Sequence, residues 1–259
     1  MTMVELTVAI AIMLMVVVAL GGLTRTVQQS FEYSEGYGAA TQHARVVLDR
    51  IAQNACQATA NELFPGFIVV AETVGTDRYP DTLVVWRPSG APASPTGLPR
   101  YNELLIYCPH PSSPSQLVEI TAPTDGRAVP AADNLSAWQT ELTALKKASG
   151  TKTVVLTTLL RCASTDRSGA SKLRGAVRFE TRLRPSVADW SAYKAGTVSW
   201  MNLPWAQGIY GSKAGLRQAW LRMELQLVPG TEWIESNPEA VSVIPFFNSA
   251  ALYYSLPHP

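Results

Sequence analysis

The side chains that can do acid, base or nucleophilic chemistry are scattered along this 259-residue chain. Its three histidines, His43, His110 and His258, lie far apart in the sequence. No His-Glu-x-x-His, Gly-x-Ser-x-Gly or phosphate-binding Gly-x-x-x-x-Gly-Lys motif occurs, and no Asp-x-Asp-x-Asp-Gly calcium loop is present. The sequence therefore predicts no catalytic residue, no metal site and no cofactor, and it favours a protein that is not an enzyme.

Three cysteines form the second set of reactive side chains. Cys56 lies in a predicted helix, whereas Cys108 and Cys162 each follow a strand-like segment. Three thiols permit one disulfide, in any of three pairings. The two strand ends favour a bridge between Cys108 and Cys162, and three free thiols are the alternative.

One carboxylate, Glu5, stands just ahead of an apolar run in which Thr7 is the only polar side chain before residue 24. A charge within a membrane costs ~2.5–3.5 kcal/mol even on a permissive insertion scale. The nearest positive charge is the chain's own α-amino group, because no Lys or Arg occurs before Arg25. If copies pack side by side with an axial offset, the Glu5 carboxylate of one meets the Met1 amine of the next, which neutralises both charges.

The element that carries Glu5 is a segment of membrane-spanning length, residues 1–23. As a helix, its apolar run is ~27 Å long, close to the ~30 Å hydrocarbon core of a bilayer. A secretory signal peptide is the alternative, but that interpretation calls for a basic start, a shorter apolar core and a cleavage site of small residues. Gly21-Gly22-Leu23 is a poor match to such a site. The pattern favours a transmembrane helix.

The first ten residues, Met-Thr-Met-Val-Glu-Leu-Thr-Val-Ala-Ile, resemble the mature N-terminus of type IV pilins and type II secretion pseudopilins. In that family a prepilin peptidase cuts after a glycine, the new first residue is usually an N-methylated Phe, and a glutamate occupies the fifth mature position. The resemblance implies that Met1 is the processed, N-methylated residue and that Glu5 directs assembly. The length of the chain is more similar to the larger minor pilins and J-type pseudopilins than to a compact major pilin.

The resemblance also implies partners and a location. The expected partners are identical or homologous pilin subunits, the prepilin peptidase and an inner-membrane assembly platform. The chain would lie in the inner membrane before assembly, and afterwards in a cell-surface filament or a periplasmic pseudopilus.

Residues 24–63 are predicted to continue the helix into water, with one apolar face for a domain. Pro65-Gly66 places the end of the helix near residues 61–64. Glycines interrupt this helix and the preceding apolar segment, and each costs about 1 kcal/mol relative to Ala. At Gly21 and Gly22 we expect either melting on assembly or close packing, and at Gly36 and Gly38 close packing.

Residues 64–259 are predicted to form a β-rich globular domain, so that the whole chain is α+β, with a long N-terminal helix packed on an antiparallel sheet. Strand-like runs occur at 67–71, 82–86, 103–107, 116–121, 176–183, 221–228, 241–247 and 250–254, and 153–160 reads as a buried strand. A helix is expected at 138–148, with Ser136 as its cap. The aromatic residues of the C-terminal part are expected to form core rather than an exposed ligand surface.

The charge balance argues against a nucleic-acid partner. The chain has 21 basic and 20 acidic residues, a formal charge of +1, whereas nucleic-acid binding usually needs a strongly basic patch. The sequence as a whole is interpreted as a structural subunit of a type IV pilus-like filament or a type II secretion pseudopilus. The alternative is a monomeric single-pass membrane protein whose outer domain binds a ligand or acts in adhesion.

Overall fold

A single helix, α1, runs unbroken over Met3–Cys56. The computed structural model describes residues 2–74, 77–164, 173–203, 215–228 and 243–256. At 1.5 Å per residue, the 54 residues of α1 extend over ~80 Å. The helix therefore contains both predicted segments, the apolar one and the amphipathic one, without an interruption.

The C-terminal end of α1 lies earlier than predicted, at a Gln57 cap rather than near residues 61–64. The chain leaves the helix because its next backbone groups find other partners. Thr59 donates its N–H to the carbonyl of Trp86 (2.8 Å). The side-chain oxygen of Asn61 accepts the N–H groups of Leu63 and Phe64 at 2.9 and 2.8 Å, which fixes a turn.

Two antiparallel sheets and a short hairpin follow α1. The strands are β1 (Phe67–Val74), β2 (Asp77–Trp86), β3 (Leu104–Pro109), β4 (Leu117–Thr121), β5 (Lys152–Thr157), β6 (Cys162–Ser164), β7 (Leu173–Gly175), β8 (Val177–Arg184), β9 (Leu216–Leu227) and β10 (Ile244–Ser255). Strands β1 to β5 form the first sheet in sequence order, the second has the order β10-β9-β8, and β6 pairs with β7. Helices α2 (Leu135–Leu145) and α3 (Val187–Lys194) complete the regular elements. The predicted α+β fold, a long helix on antiparallel sheets, is confirmed.

Both faces of the first sheet are buried, because side chains alternate along each strand. In β2, Leu83 and Val85 join a cluster with the C-terminal part of α1 and the inward-facing side chains of β8, β9 and β10. Val84 and Trp86 point the other way, into a second cluster completed by α2. The first sheet therefore separates two cores, and α1 packs on one side of it while α2 packs on the other.

The structure corrects three of the predicted elements. Residues 153–160 are not a buried strand: β5 pairs only with β4 at the edge of its sheet, and only Thr157 of its six residues is buried. Helix α2 is capped by Asn134, whose side chain accepts the N–H of Ala137, rather than by Ser136. The segments 241–247 and 250–254 belong to the single strand β10, in the part that the structure describes.

The C-terminal aromatic residues divide between core and surface. Trp190 and Trp200 are buried, and their rings meet edge to face with centroids 6.4 Å apart, as the prediction of a core role requires. Phe247 and Tyr253 are instead 56% and 44% exposed on β10. Trp205 lies outside the described residues.

Gly66, at the entrance to β1, is expected to be intolerant of a side chain. Its φ is +88°, and an added Cβ would collide with the Leu252 side chain. Gly66→Ala should lower the free energy of unfolding by about 1–3 kcal/mol, measured by urea unfolding of the full chain in neutral detergent. Gly126→Ala is the matched control, because a Cβ there meets nothing within 4 Å. Equal stability of the two variants would contradict this assignment.

Candidate functional site: the exposed half of the N-terminal helix

The N-terminal part of α1 makes almost no contact with the rest of the described chain. We call residues 3–39 the exposed half of α1: all of them are exposed except Gly36, which is half-buried. An 18-residue apolar window within α1 has none of its residues buried. The core helix of a soluble protein would be mostly buried, so this window of α1 is not of that kind, whereas a signal sequence near the N-terminus passes the same test. By length and composition it is compatible with a transmembrane helix.

Large apolar side chains are exposed on every side of this helix rather than along one stripe. Met13, Val16, Val17 and Val18 are successive examples along the chain, with Met13 71% and Val18 73% exposed. Soluble monomers rarely expose contiguous apolar surface larger than a few hundred Å². The apolar run at residues 6–23 therefore requires a cover of lipid or of other apolar helices.

Three threonine hydroxyls along the exposed half of α1 donate to carbonyls within the helix. The Thr7 hydroxyl donates to the Val4 carbonyl (2.9 Å), and that of Thr24 donates to the Leu20 carbonyl (2.9 Å). The Thr26 hydroxyl makes the same kind of bond one turn back, at 3.0 Å. Such back-bonding removes the need for water, so these side chains do not oppose an apolar environment.

The carboxylate of Glu5 forms a reciprocal cap with Thr2. Glu5 Oε2 accepts the backbone N–H of Thr2 at 2.8 Å, and Thr2 Oγ1 accepts the backbone N–H of Glu5 at 3.4 Å. This is a capping box, which satisfies two of the four free N–H groups at a helix start. Sequence reasoning assigned Glu5 a charge partner and missed this local role, although Thr-x-x-Glu is the known signature of the motif.

The capping box leaves the negative charge of Glu5 without a positive partner among the described residues. A backbone N–H supplies a dipole rather than a counter-charge, and the positive end of the helix dipole offsets only part of a full charge. Met1, the other predicted assembly residue, lies outside the described residues.

The glycines of α1 do not interrupt the helix, which is regular through all four of them. A Cβ added at Gly21, Gly22 or Gly38 would meet nothing within 4 Å. Close packing within the chain therefore does not account for these three glycines. Packing against another copy and melting on assembly both stay predictions.

The second half of α1 is fixed to the domain by a buried stripe and a polar network. Ala40, Ala44, Val47, Leu48, Ile51 and Ala55 enter the first core. Next to this stripe, the Arg50 guanidinium binds the Glu119 carboxylate of β4 through two hydrogen bonds of 2.8 and 2.9 Å. Glu119 is buried, and its charge is paired as a buried charge must be.

Tyr107 of β3 continues this network to the last turn of the helix. Its hydroxyl donates to Glu119 Oε2 at 3.0 Å and accepts from the Asn54 amide at 2.5 Å. The hydrogen bonds to Glu119 raise the pKa of Arg50 above its ordinary value. Burial, with the nearby Glu119 charge, raises the pKa of Tyr107 well above that of a free tyrosine. The network joins the last turns of the helix to two adjacent strands, β3 and β4.

Tyr107→Phe should remove both hydrogen bonds while preserving the ring. We expect a loss of about 1–3 kcal/mol in the free energy of unfolding at neutral pH, because Asn54 and Glu119 lose a buried partner. A raised folded-state pKa stabilises the fold below the unfolded pKa of about 10, and this contribution is lost as the pH rises above that value. The free energy of unfolding of the wild type should therefore fall above about pH 10, and that of Tyr107→Phe should fall less over the same pH range.

Tyr33→Phe in the exposed half of α1 is the control for this pair of measurements. Tyr33 is 50% exposed, so its substitution should change neither the stability nor its dependence on pH. If Tyr107→Phe and Tyr33→Phe gave the same unfolding curves from neutral to alkaline pH, the Tyr107 network would have no energetic role.

The predicted Cys108–Cys162 disulfide is not formed in the structure. All three cysteines are free thiols, Cys56 exposed and the other two buried. Cys108 belongs to the second core, where burial raises the pKa of its thiol to about 11. Burial also raises the pKa of Cys162. Neither buried thiol is a ready nucleophile, because the thiolate is the reactive form.

Fold and surface together define an α+β domain carried on a long apolar helix that is compatible with a transmembrane span. Comparison of the chain with models of protein families, with curated proteins and with solved structures found no match.

Proposed function

We propose that this chain is a structural subunit of a type IV pilus-like filament or a type II secretion pseudopilus, assembled through its N-terminal helices. The observation that carries the proposal is the apolar run of α1, residues 6–23, which is exposed on all sides and directly follows one carboxylate, Glu5, near the tip of the helix. A single membrane anchor accounts for the apolar side chains, and in it the cap with Thr2 gives Glu5 hydrogen bonds but no counter-charge. A bundle of such helices supplies both the apolar cover and a counter-charge.

The apolar run of α1, residues 6–23, needs a cover. Before assembly, the hydrocarbon of the inner membrane covers it. After extraction by an assembly platform, the same side chains need neighbouring helices around them. Because they are exposed on every side, each helix has room for several neighbours, as in the core of a helical filament.

The second step concerns the charge of Glu5. The capping box holds the carboxylate in place and supplies no counter-charge. In an apolar bundle, an amine of another subunit is the partner that neutralises it, and the α-amino group of Met1 is the nearest one in sequence. An axial offset of a few residues brings the two groups together and fixes the register of the bundle.

The third step is the rigid connection between helix and domain. Arg50, Asn54, Tyr107 and Glu119 link α1 to β3 and β4, and the buried stripe of α1 fixes it to the second sheet. A subunit that is pulled from a membrane by its helix needs such a connection, since its domain must move with the helix.

The test is shear fractionation of cells that produce the tagged full chain. Surface filaments are sheared off, pelleted and probed for the protein, with the washed membranes probed in parallel. Recovery in the filament pellet, with helical filaments of this subunit seen by electron microscopy, is the expected result. A periplasmic pellet is prepared as well, because a pseudopilus stays in the periplasm. Protein that is found in the membranes and in neither pellet would favour the monomeric membrane-anchored domain.

A further inference from the structure

A cavity of about 350 Å³ opens on the side of the first sheet that faces away from α1. Its walls come from the ends of β1 and β2, from α2, from β7 and from the loop that follows β3. Part of the wall is apolar and is formed by Val70, Leu142, Leu173 and three prolines, Pro109, Pro111 and Pro114. The volume lies at the lower end of the range for small-molecule sites.

The opposite part of the wall contains a buried arginine. Arg174 is only 8% exposed, and its Nη2 donates to Glu72 Oε2 at 2.8 Å and to Asp81 Oδ2 at 2.5 Å. The guanidinium carbon lies 4.6 Å from the centre of the Tyr79 ring. Nη1 of Arg174 is buried without a hydrogen-bond partner. An unpartnered donor on a buried cation is costly, so the guanidinium adds an attraction for a further negative group in the cavity that Arg174 lines.

Two lysines of α2 line the same cavity, Lys146 half-buried and Lys147 exposed. Lys146 donates to the Thr82 hydroxyl at 3.0 Å, and an ammonium has three donors. Both lining carboxylates, Glu72 and Asp81, are already bound by Arg174. Among the described residues that line the cavity, Arg174, Lys146 and Lys147 carry three positive charges, whereas Glu72 and Asp81 carry two negative ones.

We propose that this cavity binds a small organic carboxylate, with its charged group at Lys146 and Arg174 and its apolar body against Leu142, Leu173 and the prolines. The single excess positive charge matches a monoanion. A dianion such as phosphate would be opposed by Glu72 and Asp81, and a cation would be opposed by the lysines. The apolar wall selects an organic acid over an inorganic anion. This proposal does not depend on the role of the chain in assembly.

The test uses the full chain in neutral detergent and isothermal titration calorimetry with three probes, benzoate, cyclohexanecarboxylate and hexanoate, each compared with its neutral amide. At least one carboxylate should bind saturably, and its amide should bind at least about tenfold more weakly. Equal binding of acid and amide, or no saturable binding by any of the three acids, would overturn the proposal. This comparison needs no substitution, so it holds whether or not a variant folds.

Two variants test the assigned position within the cavity. Lys146→Met keeps an unbranched stem, one atom shorter, and removes the charge, and it should weaken carboxylate binding by about tenfold or more. Thr143→Glu adds a negative charge on the cavity wall and should weaken binding in the same direction. Lys152→Met, an exposed lysine in β5 outside the cavity, is the matched control and should bind as the wild type does. Unchanged affinity in folded Lys146→Met and Thr143→Glu variants would overturn the proposal.

Discussion

Glu5→Gln should reduce the amount of this protein in sheared filaments by at least about tenfold while leaving the domain folded. In the proposed bundle, the substitution leaves the α-amino group of a neighbour without its counter-charge in an apolar environment. A lone charge there costs ~2.5–3.5 kcal/mol, which corresponds to roughly a hundredfold for each contact. The measurement is quantitative immunoblotting of the filament pellet against total protein.

The choice of Gln separates the two roles of Glu5. A glutamine at the third helical position also forms a capping box, so the hydrogen bond to Thr2 is retained while the charge is lost. If Glu5 served only as a helix cap, Glu5→Gln would assemble as the wild type does. A normal filament yield would therefore contradict the charge-pairing role.

Glu32→Gln is the matched control for this experiment. Glu32 is an exposed carboxylate on the same helix, beyond the apolar run, and its neutralisation should leave the filament yield unchanged. An equal loss from both variants would show that the assay responds to any change of charge on α1.

Ile51→Ala should have the largest effect on stability, a loss of about 2–5 kcal/mol in the free energy of unfolding. Ile51 is fully buried where α1 meets the two sheets, and the shortened side chain leaves a cavity that the rigid elements around it cannot close. Because this contact joins helix and domain, the filament yield should also fall. Urea unfolding of the full chain in neutral detergent measures the first effect.

Val46→Ala, about one turn earlier on the opposite face of α1, is the control. Val46 is 68% exposed, so its truncation should change stability by less than about 0.5 kcal/mol. Similar losses from Ile51→Ala and Val46→Ala would mean that α1 is not held by the packing described above.

Local patterns were sufficient to predict most of the fold. The apolar run and the helical periodicity after it predicted α1, and strict alternation predicted β8 and β9, whose charged residues face outward except for the buried Arg217. Local patterns failed where the burial or the conformation of a segment depends on residues that are distant in the sequence. Apolar content made β5 read as buried, but its place at the edge of the sheet exposes it, and α3 was missed in a segment that its Ser186 cap organises.

The candidate site was predicted only in part. Glu5 was identified from its type and its position ahead of an apolar run, which a single sequence displays. The network of Arg50, Asn54, Tyr107 and Glu119 joins residues up to 69 positions apart, which a single sequence does not show. The one local signal was that Arg50 and Asn54 are polar and lie four residues apart beside the buried stripe of α1. The cavity at Arg174 depends on β7, a three-residue strand that no pattern predicted.

The most direct test of the filament role is N-terminal mass spectrometry on protein recovered from sheared filaments. The account predicts a terminus at a methylated Met1, followed by the intact apolar helix. A terminus beyond Leu23 would contradict it, because the helix that carries Glu5 would then be absent from the mature protein. Protein recovered from the membrane fraction alone would also contradict it and would favour the monomeric anchored domain.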